Sequence, residues 1–290
     1  MEFSRIAVVG SGTMGRCISI CLARAGIKVL LCAKSEQHAS RSMATLEQTL
    51  QDMIRHFAIT EEEKKIYLSI IEPTWDIAAA GNTDMALECV DENLDTKQRI
   101  LLQLDNILPK DRVIATNTST LSITALASVT TRKESVIGMH FISPDPNSPL
   151  VEIVRGMDTN ERTVDVARDL LKKMGKEAIE VFEYPGYVSS RLLIPFINEA
   201  LYILMEGVAC AEDIDKAMTL GHNFPMGPLE MADKIGLDQV LRMMEALFRE
   251  LGEMKYRPCP LLRKLVRGGF LGCKSGHGIY IYRNGEKISR

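Results

Sequence analysis

Three things are missing from this chain, and each absence narrows what it can do. No apolar run approaches the roughly eighteen residues needed to cross a bilayer, so no membrane span and no membrane partner is expected. Neither sign of charge dominates: 35 Lys and Arg against 38 Asp and Glu leave a formal net charge of −3, which gives no electrostatic footing for nucleic acid. The seven cysteines form no Cys-x-x-Cys pair and no Cys/His group at zinc spacing, so no metal and no disulfide framework is expected; Cys17 and Cys21, one helical turn apart, read as packing. Internal repeats and low-complexity tracts are absent too. The first strand candidate begins at Arg5, which leaves no space for a signal peptide, and the expected location is cytoplasmic. What is present is an ordinary globular composition, 46% apolar over 290 residues, long enough for two domains and a substantial core. The partner of such a chain is a small molecule or a second copy of itself.

The strongest local signal is Gly10-Ser-Gly12-Thr13-Met14-Gly15, which follows the apolar run Arg5 to Val9. Gly10 suits a tight turn, Gly12 lets a pyrophosphate approach the backbone, and Gly15 allows close helix-sheet contact. A helix over Met14 to Ala25, which Thr13 and Met14 open, would then turn its N-terminus toward the anion, and a second strand over Lys28 to Cys32 completes most of a βαβ unit. At the end of that second strand, where an NAD site of this kind places Asp or Glu on the ribose 2′-hydroxyl, the chain has Ala33, followed by Lys34 and Ser35. Loss of the carboxylate removes repulsion against a 2′-phosphate, and a cation beside a hydroxyl could bind one. The expected cofactor is NAD(H) or NADP(H), with NADP(H) slightly favoured; the alternative is that Lys34 and Ser35 merely open a solvated loop.

Further along, Ser40 to Phe57 carries apolar residues at helical intervals, and Thr60-Glu-Glu-Glu63 reads as a capping box, so a helix pair is inserted after the second strand. Strand candidates at Ile70-Ile71, Met85 to Cys89, Val113 to Thr116, Val136 to His140, Leu150 to Val154 and Ala178 to Val181 alternate with helices over Thr96 to Leu108 and Glu161 to Met174. That alternation predicts an α/β, doubly wound, mostly parallel sheet of the Rossmann type over residues 1–185. From Pro185-Gly186 the strand pattern gives way to helices over Val188 to Gly207, Ala211 to Leu220 and Leu229 to Leu251, an all-helical C-terminal domain over residues 186–290. The first of these, with Pro195 as an expected kink, is apolar on more than one side, which suits a domain core and a homodimer contact.

Two residues stand out chemically. His140 ends a strand candidate, and Glu152 lies inside the next apolar strand, an unfavourable place for a carboxylate unless it is paired. Paired, Glu152 would orient the imidazole and stabilise its protonated form, so that His140 could take a proton from an alcohol as hydride leaves.

Together with the glycine turn, Glu92-Asn93-Leu94, Asn117-Thr-Ser119-Thr-Leu, Gly138-Met-His140-Phe, Leu150-Val-Glu152, Pro185-Gly186-Tyr, Arg191-Leu-Leu, Pro225-Met-Gly227-Pro228 and Lys274-Ser-Gly276-x-Gly278-x-Tyr280 give a chain that resembles the L-3-hydroxyacyl-CoA dehydrogenase family over essentially its whole length. The resemblance implies interconversion of an (S)-3-hydroxyacyl-CoA and its 3-oxo form, with short-chain 3-hydroxybutyryl-CoA the expected substrate. It implies His140 as base, Glu152 as its partner, and Ser119 as a hydroxyl on the substrate oxygen. It places Glu92, Lys97 and Asn117 near the nicotinamide end of the cofactor. Two departures concern the substrate: Ser143 stands where the family has Asn after the catalytic His, and Ser190 stands before Arg191 where Asn is usual. A serine reaches less far and offers one hydrogen instead of two. The acyl group and even the carrier therefore stay open, with another 3-hydroxy acid or a carrier-protein thioester as one alternative and a non-catalytic dinucleotide-binding protein as another. Arg41 and Arg55 on the inserted helix pair are candidates for CoA phosphates, or simply solvated.

Overall fold

A computed structural model of the chain describes residues 3–283 and 285–288. It divides into two units, Met1–Tyr184 and Pro185–Arg290.

The first unit is built on eight strands: β1 (Arg5–Val9), β2 (Lys28–Cys32), β3 (Ile71–Thr74), β4 (Met85–Glu88), β5 (Val113–Thr116), β6 (Val136–Phe141), β7 (Leu150–Arg155) and β8 (Glu177–Phe182). Their order in the sheet is β3-β2-β1-β4-β5-β6-β7-β8. The winding reverses between β1 and β4, and in open α/β sheets ligands bind at the carboxyl edge beside such a reversal. β4, β5 and β6 are buried along their whole length, which is why they read as largely apolar runs, with Glu88 and His140 as charged or titratable exceptions. All neighbouring pairs are parallel except β6 and β7. Residues 142–149, which join those two, are too few for a crossover helix, so β7 must turn back along β6. The start of β7 therefore lies at the same edge as the ends of the parallel strands.

Six helices accompany the sheet: α1 (Thr13–Arg24), α2 (Glu36–Arg55), α3 (Glu61–Ile70), α4 (Leu94–Ile107), α5 (Ile123–Ala127) and α6 (Glu161–Lys173). The capping box of α3 is present in both halves, Thr60 on the Glu63 N–H and Glu63 on the Thr60 N–H. The helix expected from Ser40 begins four residues earlier. Ser35 caps it by accepting the His38 N–H, and its polar first turn carries no apolar periodicity to reveal it. The strand expected at Ile70-Ile71 is likewise shifted, since Ile70 still ends α3.

The second unit contains α7 (Ser189–Met205), α8 (Ala211–His222), α9 (Pro228–Ile235), α10 (Leu237–Leu251) and α11 (Pro260–Arg267) around a core that includes Ile197, Leu201, Leu229, Val240 and Met244. Pro195 lies inside α7, where it removes one helical donor. The single helix expected over Leu229 to Leu251 is two helices. Gly236, at φ +99°, accepts the Val240 N–H to start α10 while its own N–H donates to Ala232 to end α9, a backbone shape the apolar periodicity does not register. Among the described residues the unit's strands are one antiparallel pair near its end, β9 (Ile281–Arg283) with β10 (Glu286–Ile288), beside isolated bridges at His277.

Candidate active site

The glycine turn is fastened to the strands on both sides of β1. The Gly10 N–H donates to the Cys32 carbonyl at 2.9 Å, and the Cys89 N–H donates to the Val9 carbonyl at 2.7 Å. Gly10 has φ +115°, and a Cβ there would fall 2.6 Å from the Cys89 backbone; a Cβ on Gly15 would fall 1.8 Å from the Gly10 carbonyl oxygen. Gly12 is different, since nothing lies within 4 Å of where its Cβ would be. No packing contact demands glycine there, and the empty space is what a ligand approaching the backbone needs. Helix α1 has no side-chain N-cap bond and no acidic residue in its first turn, so no carboxylate of its own competes for the first N–H groups, from Thr13, Met14 and Gly15. The Ser42 hydroxyl and the Arg16 guanidinium each bond the Ser11 carbonyl at 2.9 Å and hold the turn in shape. An anionic diphosphate fits this cradle.

Ala33, Lys34 and Ser35 follow the end of β2. Ala33 is buried, with its N–H on the Thr74 carbonyl at 2.8 Å, and Lys34 is exposed. The Ser35 hydroxyl is engaged by His38, whose Nδ1 lies 2.8 Å away.

His140 and Glu152 are direct partners across the antiparallel pair β6 and β7. That register puts both side chains on one face, and Nδ1 of His140 lies 2.6 Å from Oε2 of Glu152. Both are buried, Glu152 completely. With Nδ1 engaged by the carboxylate, Nε2 is the ring nitrogen suited to exchange a proton with a substrate hydroxyl.

A second polar group closes β4 and β5. The Lys97 ammonium, fully buried, donates to both oxygens of Glu88, at 2.9 and 3.0 Å, and to the carbonyls of Val90 and Asn117, each at 3.2 Å. Glu92 stands 3.6 Å from the same ammonium. Burial alone would lower the Lys97 pKa, but the two carboxylates outweigh it and hold the ammonium above the ordinary lysine value. Burial likewise pushes the Glu92 carboxyl up, and the Lys97 charge, the Thr118 hydroxyl and the Ser119 and Thr120 N–H groups outweigh it, leaving Glu92 below the usual carboxylate range. Glu92 thus organises the loop after β5: it accepts the Thr118 hydroxyl at 2.6 Å and the Ser119 and Thr120 N–H groups at 2.9 and 3.1 Å, and it lies 3.3 Å from the Ser119 hydroxyl. The Phe141 N–H donates to Oδ1 of Asn117 at 2.9 Å, which fixes the amide so that its NH₂ is the end turned outward.

Of the residues expected at the site, the glycine turn, Ala33, Lys34, Ser35, Glu92, Lys97, Asn117, Ser119, His140 and Glu152 all belong to the carboxyl edge of this one sheet. Ser143 lies in the loop after β6, where its hydroxyl accepts the Asp145 N–H at 3.3 Å and shapes a turn. Ser190 belongs to the second unit, buried in the first turn of α7. Arg55 bonds Asp52 on its own helix at 2.9 Å. Sequence reasoning missed Glu88, although it carries the same signal that singled out Glu152, a carboxylate in an apolar strand.

The comparisons with known proteins agree with this geometry. Residues 5–184 match the model of the 3-hydroxyacyl-CoA dehydrogenase NAD binding domain, and residues 186–282 match that of the 3-hydroxyacyl-CoA dehydrogenase C-terminal domain. The chain is 45% identical to the probable 3-hydroxybutyryl-CoA dehydrogenase of Bacillus subtilis, covering 100% of both chains. It is 39% identical to the 3-hydroxybutyryl-CoA dehydrogenase of Bradyrhizobium diazoefficiens, covering 98% of this chain and 97% of that one. The crystal structure of an (S)-3-hydroxybutyryl-CoA dehydrogenase from Ralstonia eutropha matches 98% of this chain and 100% of its own at 41% identity, with a TM-score of 0.89. The chain therefore belongs to the 3-hydroxyacyl-CoA dehydrogenase family, as an NAD-dependent dehydrogenase acting on CH–OH.

Proposed function

We propose that this enzyme interconverts (S)-3-hydroxybutyryl-CoA and acetoacetyl-CoA, with His140 as the general base. The observation that carries the reading is the buried contact of 2.6 Å between His140 and Glu152 at the sheet edge that also holds the glycine turn. The bound dinucleotide supplies the hydride acceptor. His140 Nε2 takes the hydroxyl proton as the carbonyl forms, and Glu152 stabilises the imidazolium and keeps the ring in one tautomer. In the reducing direction negative charge grows on the substrate oxygen, and the Ser119 hydroxyl is the donor that meets it. Glu92 positions that serine through its N–H and lies within reach of its hydroxyl. The 1–185 region is the dinucleotide-binding domain in this reading, and the 186–290 region supplies the acyl-CoA contacts, Ser190 among them, and a homodimer interface. Leu192, Val208 and Leu220 of that region are each more than 70% exposed, which supports self-association.

The cofactor follows from the end of β2. With Ala33 in place of a carboxylate, position 33 itself does not repel a 2′-phosphate, and Lys34 is exposed beside it. NADPH is accordingly accepted alongside NADH, and Ala33→Asp makes the site strict for NADH. Absorbance of the reduced nicotinamide, followed with acetoacetyl-CoA and with free acetoacetate under each cofactor, tests the whole reading. Turnover of the thioester but not the free acid supports it. Turnover of acetoacetate alone, or of a carrier-protein thioester in preference to the CoA ester, would replace the substrate.

A further inference from the structure

Glu88 takes no part in the proton transfer described above, yet it is wholly buried beside the cofactor cradle. Its two oxygens accept four hydrogen bonds from three groups. Oε1 takes the Val90 N–H at 2.5 Å and Lys97 at 2.9 Å; Oε2 takes Lys97 at 3.0 Å and the Thr116 hydroxyl at 2.6 Å. Burial pushes the Glu88 carboxyl up, against the Lys97 charge and the Thr116 and Val90 donors, while three of these contacts come from groups that can only donate, which favours the carboxylate form. Lys97 carries one positive charge, while Glu88 and Glu92 carry two negative ones. The excess is a single negative charge, with Glu88 and Lys97 fully buried and Glu92 at the partly exposed end of the group.

Its location follows from the fold. A diphosphate held by the N-terminus of α1 and an adenosine ribose at the end of β2 would direct the nicotinamide half across the reversal of the sheet, toward the ends of β4 and β5. Glu88 ends β4, Thr116 ends β5, and the Gly10 turn packs against Cys89 and Val90. The oxidised nicotinamide ring is a cation and the reduced ring is neutral. We propose that the Glu88, Lys97 and Glu92 group makes this site hold the oxidised cofactor more tightly, relative to the reduced one, than a neutral group would, and that Glu88 is the positioning residue that sets this balance through Lys97. The consequence is a lower reduction potential for the bound couple, so that bound NADH is a stronger hydride donor than free NADH.

This inference rests on the nicotinamide placement in the proposed function, and the test separates the two. NADH binding is titrated by its own fluorescence, and NAD⁺ by competition, on the wild type and on Glu88→Gln, Glu92→Gln and Thr116→Val. Glu88→Gln removes the charge and keeps the shape. Glu92→Gln removes the other carboxylate from a partly exposed position and serves if the first variant does not fold. Thr116→Val removes one hydrogen bond without changing charge. The ratio Kd(NAD⁺)/Kd(NADH) rises roughly tenfold in the folded Gln variants and stays within about twofold in Thr116→Val. Equal weakening of both ligands, or an unchanged ratio, would overturn the proposal and leave Glu88 a purely structural residue. Failure of the wild type to bind either nucleotide would overturn the functional reading as well.

Discussion

Buried carboxylates occur in both units, and they are used in opposite ways. In the second unit Asp215 accepts the Leu229 and Glu230 N–H groups and the Tyr280 hydroxyl, at 2.8, 3.0 and 2.8 Å, which caps the start of α9. Asp233 accepts the Ile279 and Tyr280 N–H groups and the Tyr282 hydroxyl, at 2.9, 2.8 and 3.2 Å. Burial pushes both carboxyls up, and it pushes the two tyrosine hydroxyls up as well. Gly227 and Gly278 press directly on these carboxylates, so the motifs Pro225-Met-Gly227-Pro228 and Lys274-Ser-Gly276-x-Gly278-x-Tyr280 are explained by packing. In the first unit Glu152 engages a histidine instead, at a sheet edge beside an open glycine turn. Burial of an acid is therefore no mark of chemistry. What matters is whether its partner is a backbone N–H, which stays as it is, or a group that exchanges a proton.

Four substitutions or conditions press on that contrast. The largest effect belongs to Glu152→Gln, which lowers kcat for acetoacetyl-CoA reduction by about 10³-fold while the urea midpoint moves little. Asp233→Asn does the reverse. An amide cannot accept from all three donors, so the unit loses about 3 kcal/mol in urea unfolding, and kcat per folded molecule is retained. A stable Asp233→Asn protein without turnover, or an unfolded Glu152→Gln one, would break the comparison.

The Asp105 and Arg132 pair then shows that the contrast concerns partners and not units. Asp105 is buried in the first unit and bonded to the Arg132 guanidinium at 2.7 Å and to the Thr131 N–H at 2.8 Å. Arg132 also bonds the Asp105 and Leu108 carbonyls, at 2.7 and 2.8 Å, closing the end of α4. Burial opposes ionisation, but the Thr131 and Arg132 donors outweigh it and hold the Asp105 carboxyl at about 2, against an ordinary 3.8. A depressed value stabilises the fold above the ordinary one and loses that contribution as pH falls through about 2. It amounts to about 2 kcal/mol, and acid unfolding of Arg132→Met, set against the wild type, measures the share that Arg132 contributes. Its acid limb shifts to higher pH. The smallest effect is that of Ser143→Asn. Because the Ser143 hydroxyl already serves a turn, KM for acetoacetyl-CoA changes by about threefold with kcat unchanged.

Much of this arrangement was legible in the residues. The strands Lys28 to Cys32 and Val113 to Thr116 have the bounds their apolar runs predict, because each is a short run of mostly buried residues. The contact of His140 with Glu152 followed from a carboxylate in an apolar strand next to a strand that ends in histidine, twelve residues away across a short loop. The same reasoning would have found Glu88, whose partner Lys97 was read only through resemblance. The pairing depends on the first turn of α4 folding back over the end of β4, which no periodicity encodes. Hidden for a similar reason were the break at Gly236 and the early start of α2. Each is decided by a cap or a positive φ at one residue, while the apolar pattern on either side stays the same.

The proposed chemistry rests on His140 as the proton-transfer group. Its most direct test is His140→Ala, with kcat for NADH oxidation by acetoacetyl-CoA and Kd for NADH measured on one folded preparation. The predicted result is a loss of about 10³-fold or more in kcat with Kd within about threefold of wild type. A variant that keeps kcat within about tenfold would contradict it.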